Sequence, residues 1–236
     1  MRNTLTIAER ELKSYFVSPI AYVVTALFLI VTGYFFVAIL WGSQQANLRD
    51  LFSNMAVILL FIAPAITMRL LSEEQRSGTI ELLLTAPVRD VEVVLGKLLA
   101  AFTLLLAMLT LTLYYPLVLY IIGNPDTGPI VSGYVGLILL SLVYLSVGLL
   151  ASSFSQNQIV SFLVAFCAVL MLWVISYAGN FFSPSVGAVI RYLGLPEHYN
   201  DFNRGVFNLQ DGVYYVSASI VFIFAAIRSL ETRRWR

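Results

Sequence analysis

The sequence predicts an all-α membrane protein: six transmembrane helices, an N-terminal interfacial amphipathic helix and a short cytoplasmic helix between the second and third spans. Three observations carry this prediction. Of 236 residues, 59% are hydrophobic and 11% charged, with a mean hydropathy of +0.86, where a soluble domain carries about 25% charged residues. Six runs free of Asp, Glu, Lys and Arg occur at about residues 20–41, 51–68, 98–122, 130–153, 158–177 and 212–227, each near the ~20 residues that cross a bilayer. Finally, Arg2, Arg10, Lys13, Arg69, Arg76, Arg89, Lys97, Arg228, Arg233, Arg234 and Arg236 fall on one side of a six-span layout, and only Arg49, Arg191 and Arg204 on the other. By the positive-inside rule both termini are expected to be cytoplasmic. The whole chain, 1–236, is then expected to be one transmembrane domain.

The N-terminal segment, residues 1–19, places Leu5, Ala8, Leu12, Tyr15 and Phe16 on one helical face, with Glu9, Arg10 and Lys13 elsewhere on the wheel. That is the pattern of a helix lying in the membrane interface, either to orient the first span or to touch a cytoplasmic partner. The first apolar run, Ile20 to Trp41, is longer than a signal-peptide core of about 7–15 residues and ends on an interfacial aromatic, so it is expected to be a retained span. Pro64 in the second run and Pro116 in the third predict kinks whose freed carbonyls neighbouring helices satisfy. Cys167 lies inside an apolar run and is expected to be a small buried residue.

Two connecting segments are long enough to carry function. The cytoplasmic loop, residues 69–97, reads as a short helix entered at Gly78 and ended by Pro87, because proline disfavours helix at the residue before it. Ile80, Leu83 and Leu84 share a face, and Asp90 is placed to cap the helix that follows. Such a face, beside Glu73, Glu74, Arg76 and Glu81, suits docking into a groove of another protein or lying on lipid headgroups, and periodicity does not separate the two. The external segment, 178–211, has short apolar pieces broken by Pro184, Gly187 and Gly194. Its aromatics Phe181, Phe182 and Tyr192 form either an external gate or ordinary interface contacts. His198, between Glu197 and Asp201, is expected to be structural, since one histidine with two loop carboxylates is a poor metal set.

Several function classes are excluded. A net charge of +1 without a basic stripe gives no footprint for nucleic acid. No phosphate-binding Gly-x-x-x-x-Gly-Lys-Ser/Thr loop is present, the nearest spacing, Gly123 to Gly128, continuing into Pro129, and neither His-Glu-x-x-His nor Gly-x-Ser-x-Gly occurs. The chain is therefore not expected to be an enzyme or to bind a cofactor or metal itself. The apolar runs lack ionisable groups, which disfavours a proton-driven transporter, although sodium bound by backbone carbonyls keeps an ion-gradient-driven secondary transporter as an alternative.

Glu73-Glu74, the run Gly78-Thr79-Ile80-Glu81-Leu82-Leu83-Leu84, Pro87 and Gly96-Lys97 resemble the loop pattern of ABC type-2 permeases, the six-span membrane subunits of exporters. Ser146 to Val160 is similar to that family's junction of spans four and five. The tail, with His198-Tyr199, Phe202, Gly205, Tyr214-Tyr215, Ser217 and Leu230 to Trp235, resembles the branch associated with gliding motility and copper-enzyme maturation. The resemblance implies an ATP-driven exporter subunit of a bacterial inner membrane. A separate nucleotide-binding subunit would hold ATP and Mg, and residues 78–86 would be the coupling helix that meets it. On this reading Glu73, Glu74, Arg76 and Glu81 contact that subunit, Ile80, Leu83 and Leu84 form the apolar docking face, Thr79 belongs to the same motif, and Gly78 and Pro87 set the limits. It further implies a second permease copy or paralogue, most simply a homodimer, surrounded by membrane lipid and open to an extracytoplasmic accessory protein. A non-transporting scaffold that passes force to an external machine shares this architecture.

Overall fold

Helices dominate because long apolar stretches in a bilayer must satisfy every backbone N–H and C=O internally. The computed structural model describes residues 2–43, 47–79 and 88–234, and no strand occurs among them. In chain order the helices are α1 (Arg2–Val17), α2 (Pro19–Ser43), α3 (Arg49–Thr67), α4 (Ser72–Ser77), α5 (Asp90–Leu111), α6 (Tyr114–Ile122), α7 (Thr127–Phe154), α8 (Gln158–Ala178), α9 (Pro184–Tyr192), α10 (Leu195–Asn203) and α11 (Leu209–Arg234). Six helical stretches are long and apolar enough to cross a membrane: α2, Arg49–Ser77, Asp90–Ile122, α7, Gln158–Phe181 and α11. They alternate in direction. One end of the bundle, here called basal, carries α1, α4 and the start of α5; the distal end carries α9 and α10.

Burial sorts the spans into a core and a periphery. The apolar window of α7 is 72% buried and those of the second and third spans 61%, against 17% for α2 and 22% for α8 and α11. α7 takes the centre because it is lined with small residues, which let other backbones approach closely. A Cβ added at Gly133 would sit 2.5 Å from the Phe52 ring, and one at Gly136 would sit 2.6 Å from Phe202 Cβ. The hydroxyls of Ser141, Ser146 and Ser152 fold back onto carbonyls of their own helix, so they enter the core without losing hydrogen bonds.

Helix starts follow local chemistry. Asp126 accepts from Gly128 N at 3.3 Å, and Asn157 Oδ1 accepts from Ile159 N at 2.9 Å, opening α7 and α8. Asp90 does not cap α5 as expected; it is the first helical residue, and Glu92 reaches back to accept from Arg89 N at 3.2 Å. A carboxylate at the third helical position can meet the N-terminal N–H from inside the turn, which leaves the preceding position free of that task.

The third span breaks where proline chemistry requires. Pro116 lacks an N–H and crowds the carbonyl four residues earlier, and that residue is Thr112, at which α5 gives way to α6. The second span behaves differently, for α3 continues through Pro64 to Thr67. Helices also extend past the charge-free runs: α5 begins seven residues before Lys97, and α11 takes in Asp211. Ionisable groups therefore do sit in the ends of these helices.

Cys167 is exposed, not buried. On α8 the inward face is Ser161, Ala165 and Val169, spaced by four, and a residue two positions beyond Ala165 points away from it. The amphipathic face of α1 is likewise split. Ala8 and Tyr15 are buried, whereas Leu5 and Phe16 are 66% and 53% exposed.

Candidate functional site

The basal end gathers three segments distant in sequence. α1 lies along the first turns of α5, and Gly96 makes this possible: a Cβ there would fall 2.8 Å from Ile7 Cγ2 and 2.9 Å from the Thr4 carbonyl oxygen. With α1 this close, the next residue, Lys97, is sealed from solvent at 1% exposure. Its Nζ donates to Glu11 Oε1 at 2.9 Å and to Glu74 Oε1 at 2.8 Å. Arg10 Nη2 stands 3.6 Å from Glu11 and 3.5 Å from Glu74 on the solvent side. Two cations thus balance two carboxylates, the condition under which a buried lysine keeps its charge at tolerable cost. Glu74 Oε2 is buried without a hydrogen-bond partner. A small cavity of about 140 Å³, lined by Glu11, Tyr15, Arg69, Glu73, Glu74 and Lys97, adjoins the cluster.

Further contacts fasten the same corner. Tyr15 Oη donates to the Ile66 carbonyl at 2.9 Å, near the end of α3, and burial pushes its phenol well above the usual tyrosine value. Arg69 donates to Ser18 Oγ at 3.0 Å, between α1 and α2, and to Glu73 at 3.1 Å. On α4, Gln75 Nε2 donates to the carbonyls of Ser152 at 3.3 Å and Ser153 at 2.9 Å. Those carbonyls belong to the last turn of α7, which has no intrahelical donors left for them. Ser153 Oγ in turn donates to Ser229 Oγ of α11 at 2.8 Å.

α4 ends at Gly78, whose φ of 72° is left-handed, the conformation in which glycine closes a helix without a Cβ penalty. Gly78 is thus the stop of one helix, where the sequence suggests only the entry to the next. The expected site residues divide into three groups. Glu73, Arg76, Gly78 and Thr79 are exposed together on the basal surface. Glu74 turns inward to Lys97. Ile80, Glu81, Leu83, Leu84 and Pro87 lie outside the described residues. Lys97, Glu11 and Gln75 were not singled out by sequence reasoning. Among them only Lys97 carried a signal, as half of the Gly96-Lys97 motif.

At the distal end the aromatics Phe181, Phe182 and Tyr192 are not gathered in one contact. Phe181 and Phe182 are 89% and 57% exposed, while Tyr192 packs edge-on against His198, with ring centroids 4.8 Å apart. His198 is 4% exposed. Its Nδ1 lies 2.6 Å from Asp211 Oδ1 and its Nε2 2.8 Å from the Tyr192 carbonyl, so its partner is Asp211 and not the adjacent Glu197 or Asp201. α10 sinks into the bundle because side-chain hydroxyls engage its polar backbone. Tyr215 donates to the Leu195 carbonyl at 2.8 Å and Ser132 to the Phe202 carbonyl at 2.6 Å, and Tyr199 donates outward to the Phe52 carbonyl at 3.2 Å.

Among curated proteins compared with this chain, none matches it. A family model described as ABC-2 family transporter protein matches residues 5–188, which takes in most of α1, the Lys97–Glu11–Glu74 cluster and the first five spans. That family usually works with an ATP-binding subunit, and its members are transport subunits, generally not catalytic themselves. With six apolar helices around α7 and a family match over most of its length, the chain belongs to the ABC-2 transporter family and is a multi-pass membrane permease of an ABC transporter.

Proposed function

We propose that this permease converts ATP hydrolysis by a separate nucleotide-binding subunit into export or mechanical work, with residues 78–86 as the coupling helix. The observation that carries this reading is the Lys97–Glu11–Glu74 cluster. It joins the root of the 78–87 loop to α1 and to the third span, so a push on the loop is delivered to helices and not absorbed by a slack connection. Glu73 and Arg76, exposed beside Gly78, are available to a docked subunit. Glu81, Ile80, Leu83 and Leu84 would complete its contact surface, with Pro87 as the far limit. The partner would hold ATP and Mg; this chain supplies no nucleotide loop.

In this proposal the basal end faces the cytoplasm of a bacterial cell, in line with the excess of Lys and Arg there. Two copies assemble as a homodimer through the less buried spans. Phe181, Phe182 and Tyr192 form the external gate only if that assembly brings them together. The gliding-type tail pattern favours work on an extracytoplasmic accessory protein.

The test is co-purification from native membranes in mild detergent, with an ATPase assay on the complex. Leu84→Asp and Glu81→Arg should insert normally yet lose coupled ATPase activity. Normal coupling in both variants at normal expression would sink the coupling-helix assignment. A chain that purifies alone and transports only under an ion gradient would replace this reading with the secondary-transporter one.

A further inference from the structure

At the distal end, α3, α8, α9 and α10 line a second cavity, open on one side and of about 540 Å³. Arg191 and Glu197 both line it, and among the described residues neither has an ion-pair partner. Arg191 is held by its stem: it crosses Gly179 so closely that a Cβ there would lie 2.7 Å from Arg191 Cγ, and its Nη1 donates to Asn180 Oδ1 at 3.2 Å. Asn203 is 8% exposed and donates through Nδ2 to Ser53 Oγ at 2.9 Å, yet its Oδ1 is buried with no hydrogen-bond partner. Ser176 Oγ, on the same cavity, is also unpartnered. Trp173 and Tyr177, one turn apart on α8, also line it.

A cavity lined by opposite charges that have no ion-pair partner among the described residues, beside two aromatic side chains, suits a ligand carrying both signs. We propose that this cavity binds the phosphoethanolamine headgroup of a phospholipid. Arg191 takes the phosphate, for which the guanidinium fork is the best-matched side chain. Glu197 and the aromatic side chains take the ammonium. A primary ammonium fits better than a quaternary one, because the Glu197 carboxylate accepts N–H hydrogen bonds that choline does not offer. The ligand is a bilayer lipid and not a free solute because the cavity opens beside apolar surface. Val57 at its lip is 43% exposed and Tyr177 60%, and Met171 and Val174 continue the exposed face of α8 toward mid-membrane, where acyl chains would lie. Assigning that lipid to the outer leaflet rests on the orientation proposed above; the binding chemistry does not.

The experiment is native mass spectrometry of the purified full chain released from micelles offered equal amounts of phosphatidylethanolamine and phosphatidylcholine. Wild type should retain the ethanolamine lipid severalfold over the choline lipid. Glu197→Gln should abolish that preference, and Arg191→Gln should lower retention of both, with unliganded melting temperatures unchanged. Equal retention of the two lipids by wild type overturns the proposal without recourse to any variant. Displacement of the lipid by soluble glycerophosphoethanolamine at matching concentration would overturn the bilayer source. No ATPase subunit is present in this assay, so failure of the coupling proposal leaves its result standing. A wrong orientation would be seen separately, as labelling of a cysteine at Phe207 by an impermeant maleimide only after cells are opened, in a Cys167→Ser background.

Discussion

Tyr134 donates its hydroxyl to the carbonyl of Thr112 at 3.0 Å, and Thr112 stands four residues before Pro116. The bond crosses from α7 to the break between α5 and α6, where the Thr112 carbonyl also accepts from Tyr115 N at 3.0 Å, so two donors stand in for the N–H that proline lacks. The carbonyl freed at the kink is thus satisfied both from its own turn and from a neighbouring helix.

Tyr134→Phe should therefore lower stability by about 1 kcal/mol, within the range for a lost hydrogen bond in a membrane interior. In a Pro116→Ala background the same substitution should matter less, because residue 116 regains an N–H for that carbonyl. Unfolding of the four proteins of this cycle in detergent measures the difference, and equal losses in both backgrounds would deny the link between the two residues.

Lys97→Met should be the costlier change. It leaves Glu11 and Glu74 close together without their buried cation, and breaking such a cluster from one side costs about 3–5 kcal/mol. Adding Glu11→Gln and Glu74→Gln should restore much of the loss, since the repulsion leaves with the charges. Chemical unfolding in micelles reads both steps, and a Lys97→Met protein of wild-type stability would show that the cluster contributes nothing.

The buried phenol of Tyr15 predicts a loss of stability in alkali. Its folded-state pKa is raised by burial, so above the ordinary value of about 10 the unfolded chain releases this proton while the folded chain keeps it. The contribution is fully present below that value and declines as pH rises past it. Tyr15→Phe should flatten that decline while losing the bond to Ile66 at every pH. Melting temperatures recorded across the alkaline range would show whether the slope changes.

Much of this architecture was legible in the sequence because the bilayer imposes a simple code. Charge-free runs of the right length gave the six spans, and Pro116 announced its kink. The basal cluster was not legible, since Glu11 and Lys97 are 86 residues apart and periodicity speaks only of neighbours. Glu74 looked like a surface charge because nothing local tells an outward carboxylate from one that meets a lysine on another helix. Cys167 was misplaced for a related reason: in α8 both faces are apolar, one for protein and one for lipid, so hydropathy does not tell inside from outside. α10 was read as part of a loop because its burial depends on donors from α7 and α11.

The small-residue seam of α7 also divides the molecule by how freely its sequence can drift. On α2, outward positions such as Val23 and Ile30, 64% and 70% exposed, can exchange one apolar side chain for another with no neighbour to collide with. At Gly133, Gly136 and Gly148 even a methyl group meets another side chain. Variation should thus collect on the outer helices while α7 changes least, and a library randomised helix by helix would recover functional chains readily from the first class and rarely from the second.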